Sequence, residues 1–111
     1  METIAAVKAL SALAQDTRLA AMRLLIRQGT KGMAAGTIAE SLDVVPSTLS
    51  HHLNALAHAG LVRSWRVDRH IYYAADLETM RRLIALLTED CCRDSGCGCG
   101  DLARAMDFCG S

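Results

Sequence analysis

Hydrophobic residues recur at helical spacing in several short segments of this chain. In residues 46–62, written PSTLSHHLNALAHAGLV, the positions i, i+4, i+7 and i+8 are occupied by Leu49, Leu53, Leu56 and Ala57. This spacing places the four side chains on one side of an α-helix. Pro46 suits the first turn, because an N–H group there would have no partner within the helix. The sequence therefore predicts an amphipathic helix that stops at Gly60.

The same periodicity predicts four further helices, over residues 2–14, 17–28, 37–42 and 77–90. Asp16 and Asp76 stand where an N-cap side chain accepts hydrogen bonds from the first helical turn. In the second helix, the apolar residues expected to face inward are Leu19, Met22, Leu25 and Ile26. The residues expected to face solvent there are Arg18, Arg23 and Arg27. A loop is expected around Gly32 and Gly36.

The first and last predicted helices each have an apolar side. In the first it consists of Ile4, Val7, Leu10 and Leu13, and in the last of Leu77, Met80, Leu83, Ile84 and Leu87. Packing within one subunit would cover these sides, and so would a two-fold contact between two copies of the chain. The dimer is the favoured interpretation.

Residues 37–42 and 46–58 are two short helices joined by a short connection, as in a helix-turn-helix. The outer side of the second helix carries Ser47, Thr48, Ser50, His51 and Asn54. Hydroxyl, imidazole and amide groups of this kind read base edges in the major groove of DNA. An ordinary αα-hairpin is the alternative, although its outer side need not be so rich in these residues.

Residues 61–75 change to the alternating period that is typical of β-strands. They predict a β-hairpin with its tip within residues 67–70, although the Asn-Gly or Asp-Gly pair that favours tight turns is missing. Arg66 and Arg69 project from this tip, where an arginine can pair with phosphate or enter a minor groove. The predicted fold is mainly α with a small β-hairpin, a winged helix-turn-helix.

Composition and charge are compatible with one helical domain. The 111 residues are 51% hydrophobic but only 4% aromatic, and the formal net charge is zero. Residues 44–75 nevertheless contain three basic side chains, one acidic side chain and all four histidines. The region that contains the predicted DNA-reading helix and the hairpin therefore has a positive net charge. No apolar run is long enough to cross a membrane and no signal peptide is evident, which predicts a cytoplasmic protein without a membrane partner.

All five cysteines lie in residues 91–111, at Cys91, Cys92, Cys97, Cys99 and Cys109. An odd, clustered set in a chain without a secretion signal does not suit a disulfide framework. The chain is therefore divided into a DNA-binding and dimerisation domain, residues 1–90, and a tail rich in cysteine and glycine, residues 91–111. Metal or metalloid binding, or redox sensing, is predicted for this tail.

The sequence resembles the ArsR family of winged-helix repressors, bacterial regulators that respond to metals and metalloids. The resemblance spans about residues 5–92, through ALSALAQDTRLAAMRLL, AAGTIAESLDVVPSTLSHHLNALAHAGLV, IYYAAD and LTEDCC. It implies a homodimer through the terminal helices, which binds operator double-stranded DNA when free and releases it when an inducer binds. It also implies that the DNA is faced by Ser47, Thr48, Ser50 and His51 and that the wing carries Arg66 and Arg69.

The ending LTEDCC resembles the subgroup that binds trivalent arsenic through two adjacent cysteines and a third cysteine a few residues further on. This implies that Cys91 and Cys92 bind As(III) or Sb(III) together with Cys97 or Cys99. These elements are soft centres that take three thiolates, and thiolate is the matching soft donor. Since neighbouring side chains diverge on a helix, Cys91 and Cys92 are expected at a frayed or broken helix end. A methylated arsenical would need only two thiols.

Other functions for the cysteines remain open. Four thiolates from Cys91, Cys92, Cys97 and Cys99 offer a site for zinc, cadmium or lead, although the spacing is not that of structural zinc sites. The same thiols are also candidates for a metal-free redox switch. A small arsenic-buffering protein would need no helix-turn-helix. A thiol-dependent reductase would need an activated cysteine near an anion-binding loop, which is missing, so no enzymatic activity is predicted. Cys109 is interpreted as a spare cysteine.

Overall fold

A computed structural model describes residues 1–89 of the protein. The helices in this range are Thr3–Leu13 (α1), Asp16–Gln28 (α2), Ala35–Leu42 (α3), Pro46–His58 (α4) and Leu77–Thr88 (α5). The strands are Met33–Ala34 (β1), Val62–Val67 (β2) and His70–Ala75 (β3), which form an antiparallel sheet in the order β1-β3-β2. A 3-10 turn, Gly29–Lys31, connects α2 to β1. The predicted winged helix-turn-helix is confirmed.

Strand β1 lies where the sequence predicted a loop. Met33 pairs with Tyr73 and Ala34 with Tyr72, so β1 adds a third strand to the hairpin. A strand of two residues is too short to show the alternation by which strands are recognised in a sequence. It forms here because β3 offers it a hydrogen-bonding edge.

The N-cap predicted from the sequence is confirmed at α5 and is wrong at α2. Asp76 caps α5 as predicted, its Oδ1 accepting from the backbone N–H of Thr79 at 3.1 Å. The cap of α2 is Gln15 rather than Asp16, since the Gln15 side chain accepts from the backbone N–H of Arg18 at 2.9 Å. Asp16 is instead the first helical residue, where a negative charge is stabilised by the positive end of the helix dipole.

The core lies between α2, α3, α4 and one side of the sheet. Its largest fully buried side chains are Met22, Leu25, Ile38, Leu49, Leu53, Leu56 and Leu61. Leu19, which the sequence placed in this core, is 46% exposed. The buried stripe of α2 runs through Met22 and Leu25, and its continuation by one turn is Arg18. The stripe therefore ends in a polar residue, and Leu19 lies to one side of it.

Helix α1 has two apolar sides with different neighbours. Ala6, Ala9 and Ala12 are buried against the rest of the subunit. On the opposite side, the exposed fractions are 80% for Ile4, 56% for Val7 and 40% for Leu10. The three alanines thus make the contact within the subunit together with the half-buried Leu13, whereas Ile4, Val7 and Leu10 stay exposed in the single chain. The sequence leaves open whether the subunit covers the side formed by Ile4, Val7, Leu10 and Leu13, and the structure shows that it covers only Leu13, in part.

Gly32 lies in close contact with the sheet. Its φ is +68°, and a Cβ atom at this position would lie 2.5 Å from the carbonyl oxygen of Tyr73 and 2.8 Å from the indole ring of Trp65. Gly29 has a similar φ of +76°, but no atom lies within 4 Å of its Cβ position. The two glycines therefore share the backbone requirement and differ in the space available.

Gly32→Ala is expected to lower the free energy of unfolding by about 2–4 kcal/mol, since a backbone with positive φ and ψ near 180°, which glycine alone adopts readily, and an overpacked contact each cost about 1–2 kcal/mol or more. Gly29→Ala is the matched control, with only the backbone cost of about 1–2 kcal/mol or more, because its φ and ψ are similar. Urea unfolding of both variants measures the difference. Equal losses would show that the contact with Tyr73 and Trp65 does not explain the glycine.

Candidate DNA-binding surface

Helix α4 turns one side to the core and the other to solvent. Leu49, Leu53 and Leu56 are buried. The five residues predicted to read bases are all exposed, at Ser47, Thr48, Ser50, His51 and Asn54. No acidic side chain occurs within α4. This surface therefore offers hydrogen-bond donors and acceptors without repelling phosphate.

The connection between α3 and α4 is a tight turn. Asp43 takes the left-handed conformation, with φ 54° and ψ 49°. The N–H of Val44 donates to the carbonyl of Ala39 at 3.0 Å, which closes the last turn of α3. Aspartate tolerates this conformation better than most non-glycine residues. The turn is followed directly by Pro46, the first residue of α4, as the sequence predicted.

Strands β2 and β3 form the predicted wing. Val67 pairs with His70, so the turn consists of Asp68 and Arg69. Asp68 has a φ of 55°, which explains how the turn forms without glycine. Arg66 and Arg69 are exposed at this end of the hairpin, as predicted. Their contact with DNA stays a prediction.

An aromatic pair supports the wing. Trp65 and Tyr72 are opposite each other on β2 and β3, and their rings stack with centroids 6.0 Å apart and an interplanar angle of 16°. Such a pair stabilises a hairpin by about 0.5–1.5 kcal/mol beyond the burial of its surface. Trp65 is the only tryptophan of the chain and is 37% exposed, so its fluorescence reports on the wing.

Arg18 was predicted to face solvent, and this prediction is wrong. The residue is half-buried and contacts α4. Its Nε donates to Nδ1 of His52 at 3.2 Å. Burial, followed by the charges of Arg18 and His51, lowers the pKa of His52 from its ordinary value of 6.5. The sequence reading missed this pair because Arg18 and His52 are 34 residues apart. The signal that could have revealed it is that Arg18 lies four residues before Met22 and seven before Leu25, which places it on the buried side of α2.

The cysteine predictions lie outside the described residues. Cys91, Cys92, Cys97, Cys99 and Cys109 all follow residue 89. Within residues 1–89, no three side chains of the metal-binding types are grouped closely enough to hold an ion. No helix in the same range has the length and hydropathy needed to span a membrane.

The sequence is similar to known transcriptional regulators. Residues 13–64 match a family described as "Helix-turn-helix domain". A curated relative from Bacillus subtilis (strain 168), the uncharacterized HTH-type transcriptional regulator YbzH, is 30% identical over 99 residues, which cover 78% of this chain and 96% of that protein. The similarity therefore extends over nearly the whole relative.

Solved structures share both the fold and part of the sequence. An ArsR-like transcriptional regulator from Rhodococcus sp. RHA1 is 30% identical with a TM-score of 0.66, over 78% of this chain and 77% of that one. The homodimeric winged helix-turn-helix DNA-binding domain of a possible ArsR-family regulator from Mycobacterium bovis is 33% identical with a TM-score of 0.63, over 76% and 75%. A possible transcriptional regulator for arsenical resistance is 29% identical with a TM-score of 0.65, over 74% and 82%.

These relatives are described as transcriptional regulators, and the Mycobacterium bovis domain is described as a winged helix-turn-helix, which is the fold of this chain. The chain belongs to the ArsR family of winged helix-turn-helix transcriptional regulators.

Proposed function

We propose that this protein is a metalloid-responsive repressor. It binds operator DNA as a homodimer and releases it when As(III) or Sb(III) is bound by Cys91, Cys92 and either Cys97 or Cys99. The observation that carries the proposal is the adjacent pair of cysteines three residues after Thr88, the last residue of α5. Three thiolates are the donors that these soft centres prefer.

The DNA-binding part of the proposal rests on the exposed side of α4 and on the wing. Ser47, Thr48, Ser50, His51 and Asn54 contact base edges in the major groove. Arg66 and Arg69 contact phosphate or the adjacent minor groove. Base contacts of this kind give specificity, and phosphate contacts give most of the affinity, which therefore falls as salt increases.

The dimer rests on the uncovered sides of the terminal helices. Ile4 and Val7 on α1 are more than half exposed, and so is Leu87 on α5 at 61%. Packing the same patch of a second copy against them removes this apolar surface from water. A solved relative described as homodimeric supports this arrangement.

The position of the cysteines suggests how the inducer is coupled to DNA release. Thiolates that close around one atom fix the chain that follows α5, and α5 contributes to the proposed dimer contact. Two recognition helices must match half-sites about one helical turn apart, so a small change in that contact misplaces both of them. A coupling of about 1–3 kcal/mol, or about 5–150-fold in affinity, is typical of such a switch.

Arsenite is expected to release operator DNA from the wild-type protein, and neither Cys91→Ser nor Cys92→Ser should respond. Gel shift with a fluorescent duplex from the DNA upstream of the protein's own gene measures the release, and Cys109→Ser is the matched control that should respond normally. Release by arsenite in both serine variants would refute the assignment.

Parallel titrations separate the other ligands. Release by zinc, cadmium or lead but not by arsenite would favour a divalent-metal sensor, and release by oxidant alone would favour a redox switch. Either result would overturn the metalloid proposal while leaving DNA binding intact. A similar protein described as a possible regulator for arsenical resistance supports testing arsenite first.

A further inference from the structure

One side-chain hydrogen bond joins two different helices within residues 1–89. It is the bond from Nε of Arg18 in α2 to Nδ1 of His52 in α4. The other side-chain hydrogen bonds of this range lie within one helix or its cap. The remaining packing of α4 is through leucines, whose apolar contacts are not directional. The hydrogen bond between Arg18 and His52 therefore constrains the orientation of α4 relative to α2 in a way that the leucine contacts do not.

The bond also defines the chemical state of His52. A ring nitrogen accepts a hydrogen bond only when it carries no proton, so this bond requires a neutral His52 with its proton on Nε2. Nδ1 faces Arg18, and Nε2 lies on the other side of the ring. On α4, His52 follows His51 directly and comes one turn after Thr48, both of which belong to the proposed reading surface.

The charges around His52 favour the same neutral state. Helices α1, α2 and α3 and strand β2 pack beside α4. Within the described chain, the side chains whose charges act on His52 are Arg18 from α2 and His51 from α4 itself, and both lower its pKa in addition to burial. A proton on His52 would remove the acceptor and place a positive charge beside Arg18.

We propose that Arg18 is a positioning residue for DNA recognition, which holds α4 through neutral His52, and that operator binding requires this hydrogen-bonded pair. The inference rests on the proposed function, in which α4 reads DNA. It adds a residue outside the helix-turn-helix to the determinants of specificity, together with a loss of binding when His52 is protonated.

The probe is the duplex that the wild-type protein selects from a random-sequence DNA pool. Arg18→Met, which keeps the length of the side chain but has no donor, is expected to bind this duplex about three- to tenfold more weakly at pH 8, the effect of one hydrogen bond. The matched control is Arg23→Met on the same helix, because Arg23 is exposed and makes no side-chain hydrogen bond in the described chain.

The salt dependence separates positioning from direct contact. A positioning residue leaves the slope of log affinity against log salt unchanged, whereas a lost phosphate contact lowers it by about one. A lower slope for Arg18→Met, or a loss no larger than that of Arg23→Met, would overturn the inference. Circular dichroism at the binding temperature shows whether the variants are folded.

His52→Asn tests the pair without removing Arg18. The asparagine oxygen replaces Nδ1 as an acceptor and does not titrate, so near-wild-type affinity is expected at pH 8. Effects of pH that do not involve His52 are common to both proteins and cancel in the ratio of their affinities. The ratio of wild-type to His52→Asn affinity is therefore expected to fall about three- to tenfold between pH 8 and 5.

Because the pKa of His52 is lowered, this fall should be centred below the ordinary value of 6.5. A constant ratio would overturn the inference even if Arg18→Met did not fold. Failure of the proposed function looks different: a wild-type protein that selects no DNA sequence refutes DNA reading by α4, and this inference falls with it.

Discussion

Leu53→Ala is expected to lower the free energy of unfolding by about 2–5 kcal/mol. Leu53 is 0% exposed and lies between Leu49 and Leu56 on the buried side of α4. The substitution removes part of a side chain from the centre of the core, and the surrounding helices close the resulting cavity only in part. Since a domain of this size is stable by about 5–15 kcal/mol, the substitution removes a large fraction of the free energy of unfolding.

Urea unfolding measures the loss, provided that the slope of the transition is unchanged. Asn54→Ala is the matched control, one residue further along α4 and exposed. It should change stability by no more than about 0.5 kcal/mol. If Asn54 reads a base, the same variant should lose about 1–3 kcal/mol of discrimination between the selected duplex and one with that base pair changed. Equal destabilisation by the two variants would contradict the orientation of α4.

The recognition helix and the wing were predictable because their periods are regular over many residues. Leu49, Leu53 and Leu56 repeat at helical spacing, and the hairpin alternates on both sides of Asp68. The burial of the hairpin does not follow this alternation, since β2 is buried only at Val62 and β3 at the consecutive residues Tyr73, Ala74 and Ala75. Helix α4 buries one side and exposes the other, so the polar residues on its exposed side followed from the same pattern as its leucines. The candidate DNA-binding residues could therefore be located without knowledge of the tertiary structure.

The elements that the sequence did not show depend on distant partners. Strand β1 exists through its pairing with Tyr72 and Tyr73. The hydrogen bond between Arg18 and His52 requires α2 and α4 to pack together. In α2, Arg18 continues the buried stripe and Leu19 lies beside it. Hydrophobicity alone predicts the opposite, a buried Leu19 and an exposed Arg18. Sequence periodicity reports on single elements, and these features arise only when two elements meet.

In helix α1, the stronger hydrophobic pattern does not mark the side that packs within the subunit. The sequence identified Ile4, Val7 and Leu10 as its apolar side, whereas the subunit uses the alanines on the opposite side. Alanine carries too little surface to dominate a hydrophobic pattern, yet it lets two helices approach closely. The stronger pattern therefore marked the surface that the subunit leaves open, which is the surface proposed for the dimer.

Val7→Glu is expected to convert the proposed dimer into a monomer and to weaken operator binding by about 10²–10⁴-fold, the advantage of binding two linked half-sites. Val7 is 56% exposed, so the folded monomer should accept the substitution. In a two-fold contact each copy brings its own carboxylate, and two charges would be buried without partners. Analytical ultracentrifugation measures the dimer, and a gel shift with the selected duplex measures binding.

Ala85→Glu is the control, because it adds the same carboxylate to the charged side of α5, where Arg81 and Arg82 lie, rather than to the apolar side with Leu87. It should leave both dimerisation and DNA binding unchanged. A Val7→Glu protein that remains dimeric and binds DNA normally would exclude this side of α1 from the interface. The coupling of Cys91 and Cys92 to DNA would then require a dimer contact formed by α5 without this side of α1. The dimer test thus bears on the sensing proposal even before any metalloid is added.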